Sequence, residues 1–285
     1  MPTMPKRLYS AHLALAGLIV LALAACAPTN IGDNLSRAIM NQDDPETVRE
    51  GAPSYLLLVD SLIESDPTDI PMLITGTTLN AAYAGLLVQS PKRAVLMATK
   101  AQGYGQRALC LGNKQACDIA ELPYDRFTTA LEDLRKRDVP ALHAFALAWL
   151  VRVQAGGGNW CGLAELPKIE AVLERIVTLD QHFGNGSPQL YLGVLNSLRP
   201  VSLGGNPEKG RCYFEQAILL SKGKNLAAKV AYARSYARLV YDRDLHDRLL
   251  NEVLEAQPRI QGLTLLNVLA QREARILLET SADYF

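Results

Sequence analysis

Residues 55–84 read YLLLVDSLIESDPTDIPMLITGTTLNAAYA, and this stretch decides the fold. An apolar run ends at Glu64-Ser65-Asp66-Pro67, and a second run begins a few residues later. Proline has no backbone N–H and clashes with the turn before it, so it suits a helix start and breaks a helix interior. The stretch therefore predicts two helices folded back on each other through a short turn. Such a pair leaves one face apolar and must stack on a neighbour.

The pattern continues in both directions. Ile169, Val172, Leu173, Ile176 and Val177 recur at steps of three and four, as do Leu142, Phe145, Trp149 and Val153. Leu245, Leu249, Val253 and Leu254 form a third stripe. Pro71, Pro91, Pro123, Pro140, Pro167, Pro188, Pro207 and Pro258 punctuate the chain near the starts and breaks. The spacing predicts helices over 46–65, 69–89, 92–110, 124–136, 139–155, 167–182, 188–199, 207–221, 225–240, 243–256 and 262–281. Alanine and leucine dominate and β-branched alternation is scarce, which agrees. The 55–84 hairpin resembles a tetratricopeptide unit; the pairs near 167–199, 207–240 and 243–281 share its outline without a clean consensus. The expected fold is all-α, with cryptic tetratricopeptide-like hairpin repeats stacked as an α-solenoid with a concave surface.

The N-terminus carries a different signal. Lys6 and Arg7 precede an unbroken apolar run from Leu13 to Ala25, which ends Leu23-Ala24-Ala25-Cys26. This is the layout of a bacterial secretion signal with a lipobox. The run is short of the roughly 20 residues a bilayer-spanning helix needs. Three segments are expected: a lipoprotein signal peptide over 1–25, a lipid-proximal tether over 26–45 and a helical-repeat domain over 46–285. Cys26 is the expected lipidation site. Ala27 in place of Asp favours the periplasmic side of an outer membrane. Within the tether, Ala38, Ile39 and Met40 are expected to dock as a short helix.

Charge and motifs narrow the function. Lys and Arg total 29 and so do Asp and Glu, so the basic excess expected of a nucleic-acid binder is missing. Cys110, Cys117, Cys161 and Cys212 allow three disulfide pairings. Cys110 and Cys117 either close a local loop or stay as thiols. No Cys-x-x-Cys occurs, and no histidine stands at a metal-ligand spacing from a cysteine, so no metal or cofactor is expected. Gly204 to Gly210 lacks the Gly-Lys-Ser/Thr ending of a phosphate loop and reads as a turn before a helix. No nucleophile elbow or zinc helix is present, and the chain is not expected to be an enzyme.

Identity is carried by Leu203 to Arg248. This run holds Gly-Gly-Asn-Pro-Glu-Lys-Gly, then Tyr213-Phe214-Glu215-Gln216-Ala217-Ile218, then Lys229 through Arg238. It resembles the T-component lipoproteins of tripartite ATP-independent periplasmic (TRAP) transporters. Asp60 to Pro67, Tyr104 to Cys110 and Leu265 to Arg272 are similar to the same family. The resemblance implies a tetratricopeptide-like lipoprotein that forms a homotrimer with a pore or cleft in each protomer. It also implies a partner, the periplasmic solute-binding P-component, and a small hydrophobic or organic-acid ligand. A generic tetratricopeptide lipoprotein that scaffolds outer-membrane or pilus assembly is the alternative.

Candidate binding residues follow from helical placement. On a helix over 226–240, Lys229, Tyr232 and Tyr236 share an arc beside the core face of Leu226, Val230, Ala233 and Ala237. A cation beside two phenols suits an organic anion or a protein interface, or packs against the next helix. Lys224 and Asn225 lie at the preceding turn, where Asn225 is the expected helix cap. Trp160 follows three glycines and reads either as a binding anchor or as the plug of a repeat. Tyr83, Tyr104 and Arg107 are weaker candidates.

Overall fold

The computed structural model describes residues 31–157, 160–198, 201 and 205–285; the side chains of Ile31, Asp33, Trp160 and Cys161 lie outside it. The signal segment, Cys26 and the side chain of Trp160 thus fall outside the described residues. Helices α1 (Ile31–Met40), α2 (Pro45–Ser65), α3 (Ile70–Leu86), α4 (Pro91–Gly112), α5 (Tyr124–Glu132) and α6 (Val139–Ala155) form the first half. They are followed by α7 (Trp160–Leu179), α8 (Ser187–Asn196), α9 (Pro207–Leu220), α10 (Leu226–Ala231), α11 (Arg243–Glu255), α12 (Thr264–Glu279) and α13 (Ser281–Tyr284). No strand occurs among the described residues, and the fold is all-α, built of stacked hairpins.

Short polar side chains and prolines set the helix starts. Asp44 caps α2 ahead of Pro45. Asp69 Oδ1 accepts from the Met72 N–H at 3.0 Å at the head of α3. Asn206 Oδ1 takes the Lys209 N–H at 3.1 Å, with Pro207 at the first position of α9. Asp242 does the same for α11 through the Leu245 N–H at 2.9 Å. Each such cap contributes about 1 kcal/mol by satisfying a backbone donor that the helix leaves open.

Helices α3, α4 and α6 pack along a seam of small residues. Ala81, Ala101 and Ala148 are buried together where the three meet. At Gly105 a Cβ would stand 2.9 Å from Phe145 Cα, so only a hydrogen lets α4 lie this close to α6. One hydrophobic core runs from α2 to α8, with Leu265 of α12, and includes Trp149, Phe145 and Phe127. A second spans α8 to α12, around Phe214, Leu226, Leu250 and Val253. Helix α8 joins them, with Leu192 and Leu195 in the first and Leu190 in the second.

The ends of the stack meet. The Gly262 N–H donates to Asn41 Oδ1 at 2.6 Å, and Arg259 grips Asp43 Oδ2 through two nitrogens at 2.7 and 2.9 Å. Arg272 reaches Glu46 at 3.3 Å. These groups are exposed, so each pair is worth at most about 1 kcal/mol; they fix register more than stability. The stretch read as a tether holds α1 over ten residues, longer than the short helix expected around Ala38 to Met40.

Two helices depart from the sequence pattern. Helix α7 starts at Trp160 and carries Pro167 inside it, where the pattern placed a start. Its first turns are pinned by tertiary contacts of Glu165, which override the local penalty of proline. The helix expected over 225–240 is α-helical only to Ala231 and continues as a π-helix over Tyr232–Ala237.

Candidate functional site

Helices α4, α6 and α7 and the loop over 113–122 line an open pocket of about 610 Å³. Behind it lie Phe145 and Trp149, fully buried in the first core with their rings 5.3 Å apart. Small residues prepare the opening. Gly103 is exposed on α4, and a Cβ there would meet no heavy atom within 4 Å.

Polar groups line the pocket itself. Glu165 on α7 accepts from the Trp149 indole N–H and pairs with Arg152. Arg152 Nε also donates to Gln102 Oε1 at 2.6 Å, which ties α6 to α4. Lys168, one turn after Glu165, donates to the carbonyls of Ala120 at 2.7 Å and Leu122 at 2.6 Å. Its ammonium stands 5.5 Å from the centre of the Phe127 ring. The loop wall is fixed at its other side by α4. A disulfide joins Cys110 and Cys117, and Gln106 Nε2 donates to the Ala116 carbonyl at 2.8 Å. Ala116 and Ile119 anchor the same loop in the core. The result is a concave surface lined mainly by polar groups, with the Phe145 and Trp149 rings buried behind it.

The residues singled out from sequence lie elsewhere. Tyr232 and Tyr236 come together, with ring centres 5.4 Å apart, and Phe214 stacks on Tyr232. The Tyr236 hydroxyl donates to Glu208 at 2.7 Å and that of Tyr232 to Glu215 at 3.4 Å. Arg211 bridges these acids, 2.9 Å from Glu208 and 3.9 Å from Glu215. Burial and the Glu208 carboxylate push the Tyr236 phenol up to about 12. Burial, with Glu215 beside it, raises Tyr232 as well. Lys229 is not part of this group; it turns to Glu252 on α11 at 2.6 Å. Lys224 is exposed. Asn225 stands at the cap position of α10 without a side-chain capping bond, and its Oδ1 is buried without a partner.

Asn267 on α12 does the capping that the sequence assigned to Asn225. Its Oδ1 accepts from the Leu226 N–H at 3.0 Å, and its Nδ2 donates to the Lys224 and Pro258 carbonyls at 3.0 and 3.2 Å. A side chain from a distant helix reaches the cap first because it is held by two further bonds. Among the weaker candidates, the Tyr83 hydroxyl donates to the Arg49 carbonyl at 2.9 Å. The Tyr104 hydroxyl donates to Asp60 at 2.9 Å, and burial with that carboxylate pushes it up to about 12. Arg107 lies over the Tyr104 ring at 5.5 Å. Cys212 is exposed and free.

Sequence reasoning missed the cavity residues Gln102, Arg152, Glu165 and Lys168. A signal was present. Gln102 and Gln106 mark one polar arc on an alanine-rich helix, and Glu165 and Lys168 stand three apart beside Pro167.

Among the described residues no helix is long and apolar enough to cross a membrane. Among curated proteins no relative matches the chain. The family model described as TRAP transporter T-component matches residues 41–285, which takes in both cores and every wall of the cavity. The chain belongs to the TRAP transporter T-component family and is an accessory component of a TRAP-type transport system.

Proposed function

We propose that this protein is moored by acyl chains on Cys26 to the periplasmic side of the outer membrane and docks the P-component solute receptor of its transporter. It takes a small solute into the cavity between α4, α6 and α7, and it binds without breaking bonds. Two or more acyl chains give stable anchoring, and residues 1–25 serve as the signal peptide. The functional unit is a homotrimer. The exposed Glu208, Arg211 and Glu215 side chains, which close over the buried Tyr232 and Tyr236, form a polar surface; it is the proposed docking face.

The observation that carries this reading is the cavity. A concavity between three helices, lined by the polar groups Gln102, Arg152, Glu165 and Lys168 and bounded by a loop clipped by a disulfide, supports the reading of a solute site. The test is co-purification from cells of the full-length protein with its P-component. The complex is expected in the membrane fraction and is expected to move to the soluble fraction with Cys26→Ala. A P-component that never co-purifies refutes the docking role, and a Cys26→Ala protein still bound to membrane refutes the anchor.

A further inference from the structure

We infer that the outer face of α2, around Tyr55, Leu57 and Leu58, lies on the lipid surface to which the chain is moored. This rests on the reading of Cys26 as the acylated residue. Between Glu50 and Asp60 the sequence runs Gly-Ala-Pro-Ser-Tyr-Leu-Leu-Leu-Val, without a charge. Ala52, Leu56 and Val59 of this run turn into the first core. Tyr55, Leu57 and Leu58 turn outward and are 48, 70 and 46% exposed. Ser54 and Ser61 are exposed on the same side, and Leu62 is half-buried beside them. Asp60 faces the other way, to Lys100 and Tyr104 on α4. The outward side of α2 from Ser54 to Leu62 is thus apolar and uncharged, where a solvent-facing helix surface ordinarily carries charged residues.

The length of chain ahead of α1 points to the occupant. Cys26 precedes Ile31 by five residues, which span at most about 18 Å when extended. An acyl group on Cys26 therefore keeps the lipid surface within that reach of the head of α1. This head lies against α3: a Cβ on Gly32 would stand 2.8 Å from Thr75 Oγ1. The next residue on α3, Gly76, faces α2, where a Cβ would meet Ile63 Cδ1 at 2.6 Å and Val59 Cγ1 at 3.4 Å. The start of α1 is level with the turn of α2 that follows Leu58, and the uncharged face falls within reach of the anchor. Leu57 and Leu58 enter the acyl boundary, and Tyr55, with an apolar ring and a polar tip, sits at the headgroups.

The test supplies the anchor chemically. The chain from Cys26 to Phe285, carrying Cys161→Ser and Cys212→Ser so that Cys26 alone reacts, is alkylated there with one 14-carbon chain. It is then sedimented with vesicles of phosphatidylethanolamine and phosphatidylglycerol. A single such chain binds with a constant of about 10⁴ M⁻¹. The parent is expected to bind about tenfold tighter than this, and the double variant Leu57→Ser, Leu58→Ser to fall back to the single-chain value. Both leucines are exposed, so the fold survives the change. Leu219→Ser, at a comparably exposed leucine on α9, is expected to leave binding unaltered. A double variant that binds as tightly as the parent overturns the inference, as does a Leu219→Ser protein that loses as much. A parent that is oligomeric without vesicles, and that the double variant renders monomeric, assigns the face to a second copy and overturns the inference too. Native acylation is read separately in cells through Cys26→Ala, so the two readings fail separately.

Discussion

Two glycines on α4, two residues apart in the chain, give the sharpest test of how the helices pack. At Gly103 an added Cβ meets no heavy atom within 4 Å. At Gly105 it would lie 2.9 Å from Phe145 Cα, 3.2 Å from Phe145 Cβ and 3.2 Å from Thr77 Cγ2. Replacing glycine by alanine in a helix interior gains about 1 kcal/mol from backbone entropy. Gly103→Ala receives that gain in full and is expected to raise the melting temperature by about 2 °C. Gly105→Ala receives the same gain but forces α4 off the α6 backbone, at an overpacking cost of about 1–3 kcal/mol. Its net effect is a loss of about 1 kcal/mol, since the group in the way is main chain and cannot rotate aside. Urea denaturation of the two variants beside the parent measures both. A Gly105→Ala protein as stable as Gly103→Ala would refute the close approach of α4 and α6. Gly103→Leu extends the test to the cavity: it is expected to fold normally and to lose solute binding.

Other consequences are as direct. Burial pushes the His143 imidazole down to about 4, against about 6.5 in the unfolded chain, so the native site favours the neutral ring. The native state then binds fewer protons, and stability is full above about pH 6.5 and falls as the pH drops towards 4. The loss is about 2 kcal/mol once the partial exposure of the ring is allowed for, and denaturation of His143→Gln beside the parent is expected to show a flatter pH profile. Asn267→Ala removes three hydrogen bonds from a fully buried site and is expected to cost about 2–4 kcal/mol in chemical denaturation. The double variant Cys110→Ser, Cys117→Ser reopens a short loop; about 2 kcal/mol of stability is expected to go, with hydrogen exchange speeding up over 113–122 first.

The helical hairpins were legible because their signals are local. Pro71, Pro91, Pro188 and Pro207 each announce a helix start within its first two positions, and the apolar stripes around Trp149, Ile169 and Leu249 need only one helix to be seen. Pro167 misled for the same reason: the force that keeps it inside α7 comes from Trp149 and Arg152 on another helix. Asn225 looked like a cap because it stands where caps stand, while the actual bond arrives from Asn267, far along the chain. The cavity was hidden most completely. Gln102, Arg152, Glu165 and Lys168 each read as an ordinary solvated position, and only the packing of α4, α6 and α7 makes them neighbours. The tyrosine pair was found by helical spacing, but its acidic partners Glu208 and Glu215 sit on a different helix and were not.

Association with the solute receptor is the central claim, and a calorimetric titration of the purified soluble protein into its P-component tests it most directly. Run with the receptor empty and solute-loaded, the titration is expected to give saturable binding in the micromolar range in at least one state, weakened by Arg211→Ala. No heat and no complex in either state, at about 100 μM of both proteins, would contradict it.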